Sequence, residues 1–357
     1  MRILAWPAYS NRAINPYNWL LYTNVQRLSC VVDEFSAVRL LKDEFAIWHI
    51  HWPEHFLNKK TTAQAYAKVY LLPAMMDWMR RKGTKIVWTV HNLYAHEQRR
   101  PRLETLFWDQ FTRRLDGWIS LSHGGWEAAR ERFPALRDIP GFVIPHGHYR
   151  GEYLDELDRA NARSLLGIAP DAKLMLFFGA IRPYKNVPFL LRVFRDVAAA
   201  GVRLCVAGDS EDRALLDTIR REGGGDARVQ LHLERIPQER VQRFFRAADL
   251  VVLPYSEILN SGTAMLALSF DRPVLVPALG ALSELRTEVG EEWVRTYDGN
   301  LTANELAAAL DWALYTKRPS SASLPEYEWP NVARQTLGAF QAIVGQTTGT
   351  AGVSSCR

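Results

Sequence analysis

The sequence has 357 residues, 48% of them hydrophobic and 23% charged, with 22 glycines and 18 prolines. At roughly 100–200 residues per domain this predicts two domains, each large enough for its own core, and the composition excludes a collagenous, repetitive or disordered chain. The net charge of +5 divides into +8 over residues 1–150 and −3 over the rest, and nine of the twelve tryptophans lie within the first 126 residues. A basic, aromatic-rich first half beside a nearly neutral second half predicts two domains with different partners. No apolar run approaches the roughly 18–20 residues that span a bilayer. Arg2 is followed only by the brief apolar stretch Ile3–Trp6, so no secretory signal is expected. Cys30, Cys205 and Cys356 are far apart, odd in number and without a CxxC pair. That argues against a disulfide framework or a zinc site and for a reducing, cytosolic setting.

Short apolar runs alternate with helix-length amphipathic stretches. In chain order the first half has runs at Arg2–Trp6, Ile47–Trp52, Lys85–Val90, Gly117–Leu121 and Phe142–Ile144. The second half has them at Lys173–Phe178, Val202–Ala207, Val229–Leu233, Leu250–Leu253 and Pro273–Val276. This alternation is the pattern of βαβ units and of parallel sheets covered on both faces. Two sets of about five fit two doubly wound domains better than one barrel, which needs eight even repeats. A helical stretch at Glu152–Leu166, ending in Gly167 and Pro170, places the domain boundary near 151–170. The resulting division is 1–155, 156–328, a last helix at 329–345 that returns to the first domain, and a small, polar tail at 346–357 expected to be disordered.

Ligands of open parallel sheets bind at the carboxyl ends of the strands. The residues that follow the first-half strands are His49, His51, Trp52 and Glu54, then His91 and Asn92, then Ser122, His123 and Gly124, then His146, Gly147 and His148. Six of the nine histidines thus sit at four successive strand exits, which describes the floor of a binding site rather than scattered structural residues. In the second half, Gly179-Ala-Ile-Arg182-Pro-Tyr-Lys185 leaves a strand and enters a helix. Gly179 permits a tight turn, and Arg182 and Lys185 place two cations at a helix N-terminus, an arrangement suited to a diphosphate. Tyr255 to Thr263 forms a second strand-to-helix loop, in which Asn260, Ser261 and Thr263 can cap a helix starting near Ala264 and Gly262 admits an anion close to the backbone. There is no GxGxxG after the first strand and no GxxxxGK[ST], which argues against a dehydrogenase and a P-loop NTPase. No metal-ligand spacing stands out, and a metal-independent reaction without a cofactor is expected.

At these residues the sequence resembles the two-domain glycosyltransferases of GT-B architecture: an α/β fold of two Rossmann-like doubly wound domains facing a central cleft, the donor nucleotide sugar on the C-terminal domain and the acceptor on the N-terminal one. Within that architecture it resembles more closely the β-mannosyltransferases of bacterial exopolysaccharide assembly, which use GDP-mannose and a polyprenyl-diphosphate-linked oligosaccharide. The likeness runs through His49-Ile-His-Trp-Pro-Glu54, Thr89-Val-His-Asn92 with His96-Glu97, His146-Gly-His-Tyr-Arg150 and Gly179–Lys185. It continues through Leu253-Pro-Tyr255, Asn260-Ser-Gly-Thr263 and 267–275, and so covers most of residues 1–345. The resemblance implies that Arg182, Lys185 and the Ser261–Thr263 loop bind the donor phosphates. Retaining GT-B enzymes usually carry two glutamates eight positions apart before the final donor strand. Glu257 stands for the first, but Met265 and Leu266 stand where the second is required, which favours an inverting mechanism.

Inverting transfer needs a base for the acceptor hydroxyl and cations for the departing diphosphate. Glu54 is the first candidate for the base, followed by His91 and Glu97; His51, Trp52, Asn92, His123 and His146 are candidate acceptor contacts. A lipid-linked acceptor implies work at a membrane surface. Residues 64–82 and 103–115 combine Tyr66, Tyr70, Met75, Met76, Trp78, Met79, Phe107, Trp108 and Phe111 with many lysines and arginines. Such a surface suits peripheral attachment to anionic lipid on the cytoplasmic face of the inner membrane, although ordinary sheet-covering helices read the same way. No RRM, KH or zinc-finger signature supports nucleic-acid binding. Two other functions fit these residues: a transferase using UDP-glucose or another nucleotide sugar, and a non-catalytic nucleotide-sugar-binding protein.

Overall fold

The computed structural model describes residues 1–56, 62–94 and 101–345, and it divides into two compact units. Unit 1 comprises Met1–Gly147 together with the segment that begins at Glu326; unit 2 is His148–Pro325. Unit 1 contains strands β1 (Arg2–Trp6), β2 (Val31–Glu34), β3 (Ile47–Ile50), β4 (Lys85–Val90), β5 (Gly117–Ser120) and β6 (Gly141–Val143). Unit 2 contains β7 (Lys173–Phe178), β8 (Val202–Ala207), β9 (Val229–His232), β10 (Leu250–Val252), β11 (Val274–Pro277) and β12 (Val294–Tyr297). Both sheets are wholly parallel, in the orders β2-β1-β3-β4-β5-β6 and β12-β11-β10-β7-β8-β9.

Each sheet has six strands rather than about five. The two that the apolar pattern misses, β2 (VVDE) and β12 (VRTY), are edge strands. They carry little of the continuous apolar signal that marks strands covered on both faces. The chain passes from unit 1 to unit 2 at Gly147 and His148, not near residue 155. Residues 148–155 are tied into unit 2: Tyr149 N donates to Ser269 Oγ (2.8 Å), Arg150 pairs with Asp271 (2.6 Å), and Asp155 pairs with Arg246. The helix expected over 152–166 is shorter, Arg159–Leu166, because Asp158 caps its first turn and Gly167, at φ +66°, ends it. The last helix, Trp329–Gly345, packs in unit 1. There Trp329, Val332, Phe340 and Ile343 share a core with Tyr17, Leu21, Val87 and Ile119. The 346–357 tail lies outside the described residues.

Both sheets reverse direction beside their first strand, and that switch point is where an open α/β sheet leaves a crevice. In unit 1 the loop leaving β1 turns its amides inward, and the Glu34 carboxylate accepts from Ala8 N (3.2 Å), Tyr9 N (2.7 Å) and Ser10 N (2.9 Å). A protein carboxylate thus fills the place where such a fold can hold a phosphate. Glu34→Ala removes the shared acceptor of those amides. The expected loss is about 2 kcal/mol of unfolding free energy in chemical denaturation, and an unchanged midpoint would refute the role given to Glu34.

Candidate functional site

Strand exits of unit 1 gather four of the six histidines singled out above. His49 and His51 are two residues apart at the end of β3 and so lie on one side of the sheet, both fully buried. Tyr22, from the helix Tyr17–Gln26 that follows β1, bridges them: its Oη is hydrogen-bonded to His49 Nδ1 (2.8 Å) and His51 Nε2 (2.6 Å). His49 Nε2 meets Thr89 Oγ1 of β4 at 2.7 Å, and His51 Nδ1 meets His91 Nε2 at 3.0 Å. His91 is stacked on Trp52 (4.4 Å between centroids, 23°), and the Tyr17 ring stands edge-on to it at 5.2 Å. Tyr17 also lies against His146 (4.7 Å), whose Nδ1 is bonded to Gly147 O at 2.7 Å.

Removing these imidazoles from water disfavours their charged form. Burial pushes His49 down to about 3 and His146 to about 4, and it holds His51 and His91 well below the usual imidazole range. All four are neutral at physiological pH. Burial acts oppositely on Glu54, which sits 2% exposed in the turn Pro53–Phe56 and accepts from Asn92 Nδ2 at 2.8 Å. Its carboxyl is pushed up to about 7.

One expectation for unit 1 changes. His51 is an acceptor contact by sequence position, but it is fully buried with both ring nitrogens bonded to protein, so it supports His91 instead of touching a ligand. His123 is exposed in the first turn of the helix His123–Arg132. Glu97 lies outside the described residues. The tyrosines and Thr89 were not legible as site residues: the hydroxyls at 17 and 22 belong to no motif, and Thr89 opens the Thr89-Val-His-Asn92 motif without a role of its own in sequence.

Unit 2 brings together the two loops singled out there. They leave β7 and β10, the strands that flank its switch point. Ser256 N donates to Tyr184 O (2.8 Å), joining one loop to the other. Gly179 has φ +114°, and a Cβ on it would stand 3.0 Å from Thr263 Oγ1 and 3.5 Å from Lys185 Nζ. Lys185 is 9% exposed; its Nζ lies 5.5 Å from the Tyr255 ring centre, and among the described residues no carboxylate pairs with it. Burial first, then the Arg182 charge, pushes its ammonium down to about 8. Of the three capping candidates only Ser261 caps the helix Gly262–Ser269, accepting from Ala264 N at 3.1 Å. The Asn260 side-chain nitrogen and oxygen are both buried without a partner among the described residues, and the buried Tyr255 Oη, beside Ser261 and Thr263, makes no hydrogen bond of standard geometry. A half-buried guanidinium, a buried ammonium, first-turn amides without intrahelical partners and unsatisfied polar atoms form an anion site that the protein itself does not fill. Among the described residues, no group of three or more His, Cys, Asp or Glu side chains is placed to hold a metal ion.

Residues 172–315 match the family model described as glycosyl transferases group 1. Over 339 residues the chain is 32% identical to a GDP-mannose:glycolipid 4-beta-D-mannosyltransferase of Xanthomonas campestris pv. campestris, spanning 94% of this chain and 90% of that protein. The chain belongs to the GT-B glycosyltransferases. A D-inositol 3-phosphate glycosyltransferase of Mycobacterium marinum is 30% identical over 78% of this chain and 63% of its own. In fold, the glycosyltransferase matches the sucrose-phosphate synthase of Thermosynechococcus elongatus at a TM-score of 0.65 (16% identity, 97% of each chain). It matches Anabaena HepE in complex with UDP-glucose at 0.63 (14% identity, 97% and 98% of the two chains).

The helix Gly262–Ser269 of this glycosyltransferase carries no acidic residue, and Met265 and Leu266 are buried in it. Lys185 gives the anion site a measurable signature. Because its ammonium is disfavoured in the fold, the unfolded chain binds the extra proton between about pH 8 and 10.5, so the penalty is present below about 8 and fades as pH rises. Lys185→Met is therefore expected to raise ligand-free stability at pH 7 by on the order of 2 kcal/mol, with the gain shrinking above about pH 8 and gone only above about pH 10.5. A destabilised Lys185→Met at pH 7 would show that the ammonium is compensated within the protein.

Proposed function

We propose that this glycosyltransferase moves a mannosyl residue from GDP-mannose, with inversion, to a lipid-diphosphate-linked oligosaccharide in exopolysaccharide synthesis. The observation that carries the reading is the buried Lys185 ammonium beside Gly179 and Thr263, which pairs with no carboxylate among the described residues. The choice of donor and acceptor rests on the extent of likeness to the Xanthomonas mannosyltransferase. Gly179, Arg182, Lys185, Tyr255, Asn260, Ser261, Gly262 and Thr263 hold the donor. Trp52, Asn92 and His146 belong to the acceptor side, with His91.

Glu54 is the base. It takes the acceptor hydroxyl's proton as the acceptor oxygen bonds to the sugar's anomeric carbon and the bond from that carbon to the diphosphate oxygen breaks. Arg182 and Lys185 take up the charge on the departing diphosphate, so the reaction needs no divalent cation. A carboxyl near 7 is poised for this role, half-ionised at the working pH and strongly basic for a carboxylate. Turnover is expected to rise with pH through a midpoint near 7, and to survive EDTA. Glu54→Gln should lower it by about 10²- to 10⁴-fold with donor affinity intact. In a thermal-shift series GDP and GDP-mannose should stabilise the protein above UDP and UDP-glucose, and Arg182→Ala should abolish the shift. A larger shift with UDP-glucose would transfer the assignment to that donor, and binding without transfer would leave only a nucleotide-sugar-binding protein.

A membrane surface as partner has a narrower physical basis than the sequence suggests. Met76, Met79, Phe107, Trp108 and Phe111 are core residues, so the helix Pro101–Thr112 adds none of its aromatics to the surface. The helix Thr62–Arg81 instead exposes Tyr66, Tyr70, Leu71 and Trp78 along one face, with exposed Arg81 beside them. Lys82 and Arg80 are engaged with Asp43 O and Asp116. No helix among the described residues is long and apolar enough to cross a bilayer. The aromatic face suits the interfacial zone of the inner membrane's cytoplasmic leaflet, with Arg81 adding attraction to anionic headgroups. Trp78→Ala combined with Arg81→Ala should weaken co-sedimentation with phosphatidylglycerol vesicles. Pelleting equal to wild type, in low and in high salt, would remove the membrane from this reading.

A further inference from the structure

The buried hydrogen bonds of unit 1 have a direction. Thr89, His49, Tyr22, His51 and His91 form one unbranched line through links of 2.7, 2.8, 2.6 and 3.0 Å. Each neutral imidazole carries one proton and each hydroxyl carries one, so fixing a single donor fixes every other. Thr89 decides it. The residue is 1% exposed, and its hydroxyl meets no group other than His49 Nε2 among the described residues. Were His49 Nε2 protonated, the Thr89 hydrogen would be buried without an acceptor, at a cost of about 1–3 kcal/mol. Thr89 Oγ1 therefore donates to His49 Nε2. The His49 proton sits on Nδ1 and is donated to Tyr22 Oη, and Tyr22 donates in turn to His51 Nε2. His51 Nδ1 then donates to His91 Nε2, which leaves the His91 proton on Nδ1.

The His91 ring is partly exposed, Nδ1 makes no hydrogen bond to protein among the described residues, and Trp52 and Tyr17 hold the ring from two sides. We propose that His91 is a neutral hydrogen-bond donor to the acceptor substrate, its Nδ1–H set by the line that begins at Thr89. Thr89, His49, Tyr22 and His51 are positioning residues. This deepens the reading given above and rests on it for the acceptor. The attacking hydroxyl has one proton and two lone pairs. The proton goes to Glu54, one lone pair accepts from His91 Nδ1–H, and the other is left to form the glycosidic bond. His91 itself cannot serve as base, because one ring nitrogen already carries the proton and the other accepts from His51.

The test is the nitrogen-15 NMR signature of the histidine side chains in the full-length, ligand-free protein. His49, His51 and His91 are expected as Nδ1–H tautomers, the minor form of free histidine in water. Nε2–H on His91 in the wild type would overturn the proposal without any variant. Thr89→Val should give His91 mixed tautomers, and Thr89→Ser should restore the single one; a single unchanged tautomer in Thr89→Val would also overturn it. Asparagine keeps an N–H donor near the position of Nδ1, so His91→Asn should retain turnover to within about tenfold, the scale of one altered hydrogen bond. His91→Ala should lose about a hundredfold through misplacement of the hydroxyl. An Asn variant as inactive as the Ala variant would mark His91 as a proton acceptor and refute the donor role. If the wild type shows the expected tautomers but transfers no sugar, the role toward an acceptor falls with the functional reading.

Discussion

A buried ammonium that no carboxylate among the described residues answers is the constraint around which unit 2 is organised. Taking a lysine out of water without a partner opposes folding, and Lys185 bears that penalty in the absence of ligand. The neighbouring residues make sense as provisions for an anion that the chain does not supply. Gly179 has no Cβ to separate Thr263 from Lys185, and Gly208, at φ +155°, has none to collide with the Gly179 carbonyl, which would lie 2.0 Å away. Ser261 satisfies Ala264 N and leaves the amides before it open. Stability is given up there in the ligand-free protein, as expected of a preformed binding site.

The two sheets share an architecture, and the difference between them is electrostatic. Both present their switch points at the carboxyl ends of parallel strands, where backbone amides favour negative charge. In unit 1 that demand is met internally by Glu34, which turns the loop after β1 into rigid scaffold. In unit 2 cations stand in the corresponding region and the demand is left open. One carboxylate and one ammonium, at comparable places in two copies of a doubly wound fold, thus give the two switch points opposite electrostatic character.

Much of this was legible in the sequence, for physical reasons that also mark its limits. Strands covered on both faces are continuous apolar runs, so ten of the twelve strands stand out, while VVDE and VRTY at the edges do not. Gly179, Arg182, Lys185 and Ser261 were readable because phosphate recognition uses glycine, cations and helix starts in short local segments. The line from Thr89 to His91 was not readable, because it joins residues on the helix after β1, on β3 and on β4 that only the fold brings together. The aromatic residues of 101–112 stayed ambiguous for a related reason: amphipathic periodicity does not say whether an aromatic stripe faces a core or a membrane, and Phe107, Trp108 and Phe111 face the core.

The same burial that silences the imidazoles prepares the carboxylate. Desolvation disfavours charge, so it lowers His49, His51, His91 and His146 below the usual imidazole range and raises Glu54 to about 7. A cluster of histidines at strand exits suggests imidazole catalysis when read from sequence alone. In the folded unit the protons of three of them are committed to a fixed line, and none of the four can hold a second proton near neutral pH. The group whose charge does change there is the glutamate beside them. One low-dielectric environment thereby acts with opposite sign on an acid and on a base: it suppresses protonation of His91 and raises the proton affinity of Glu54.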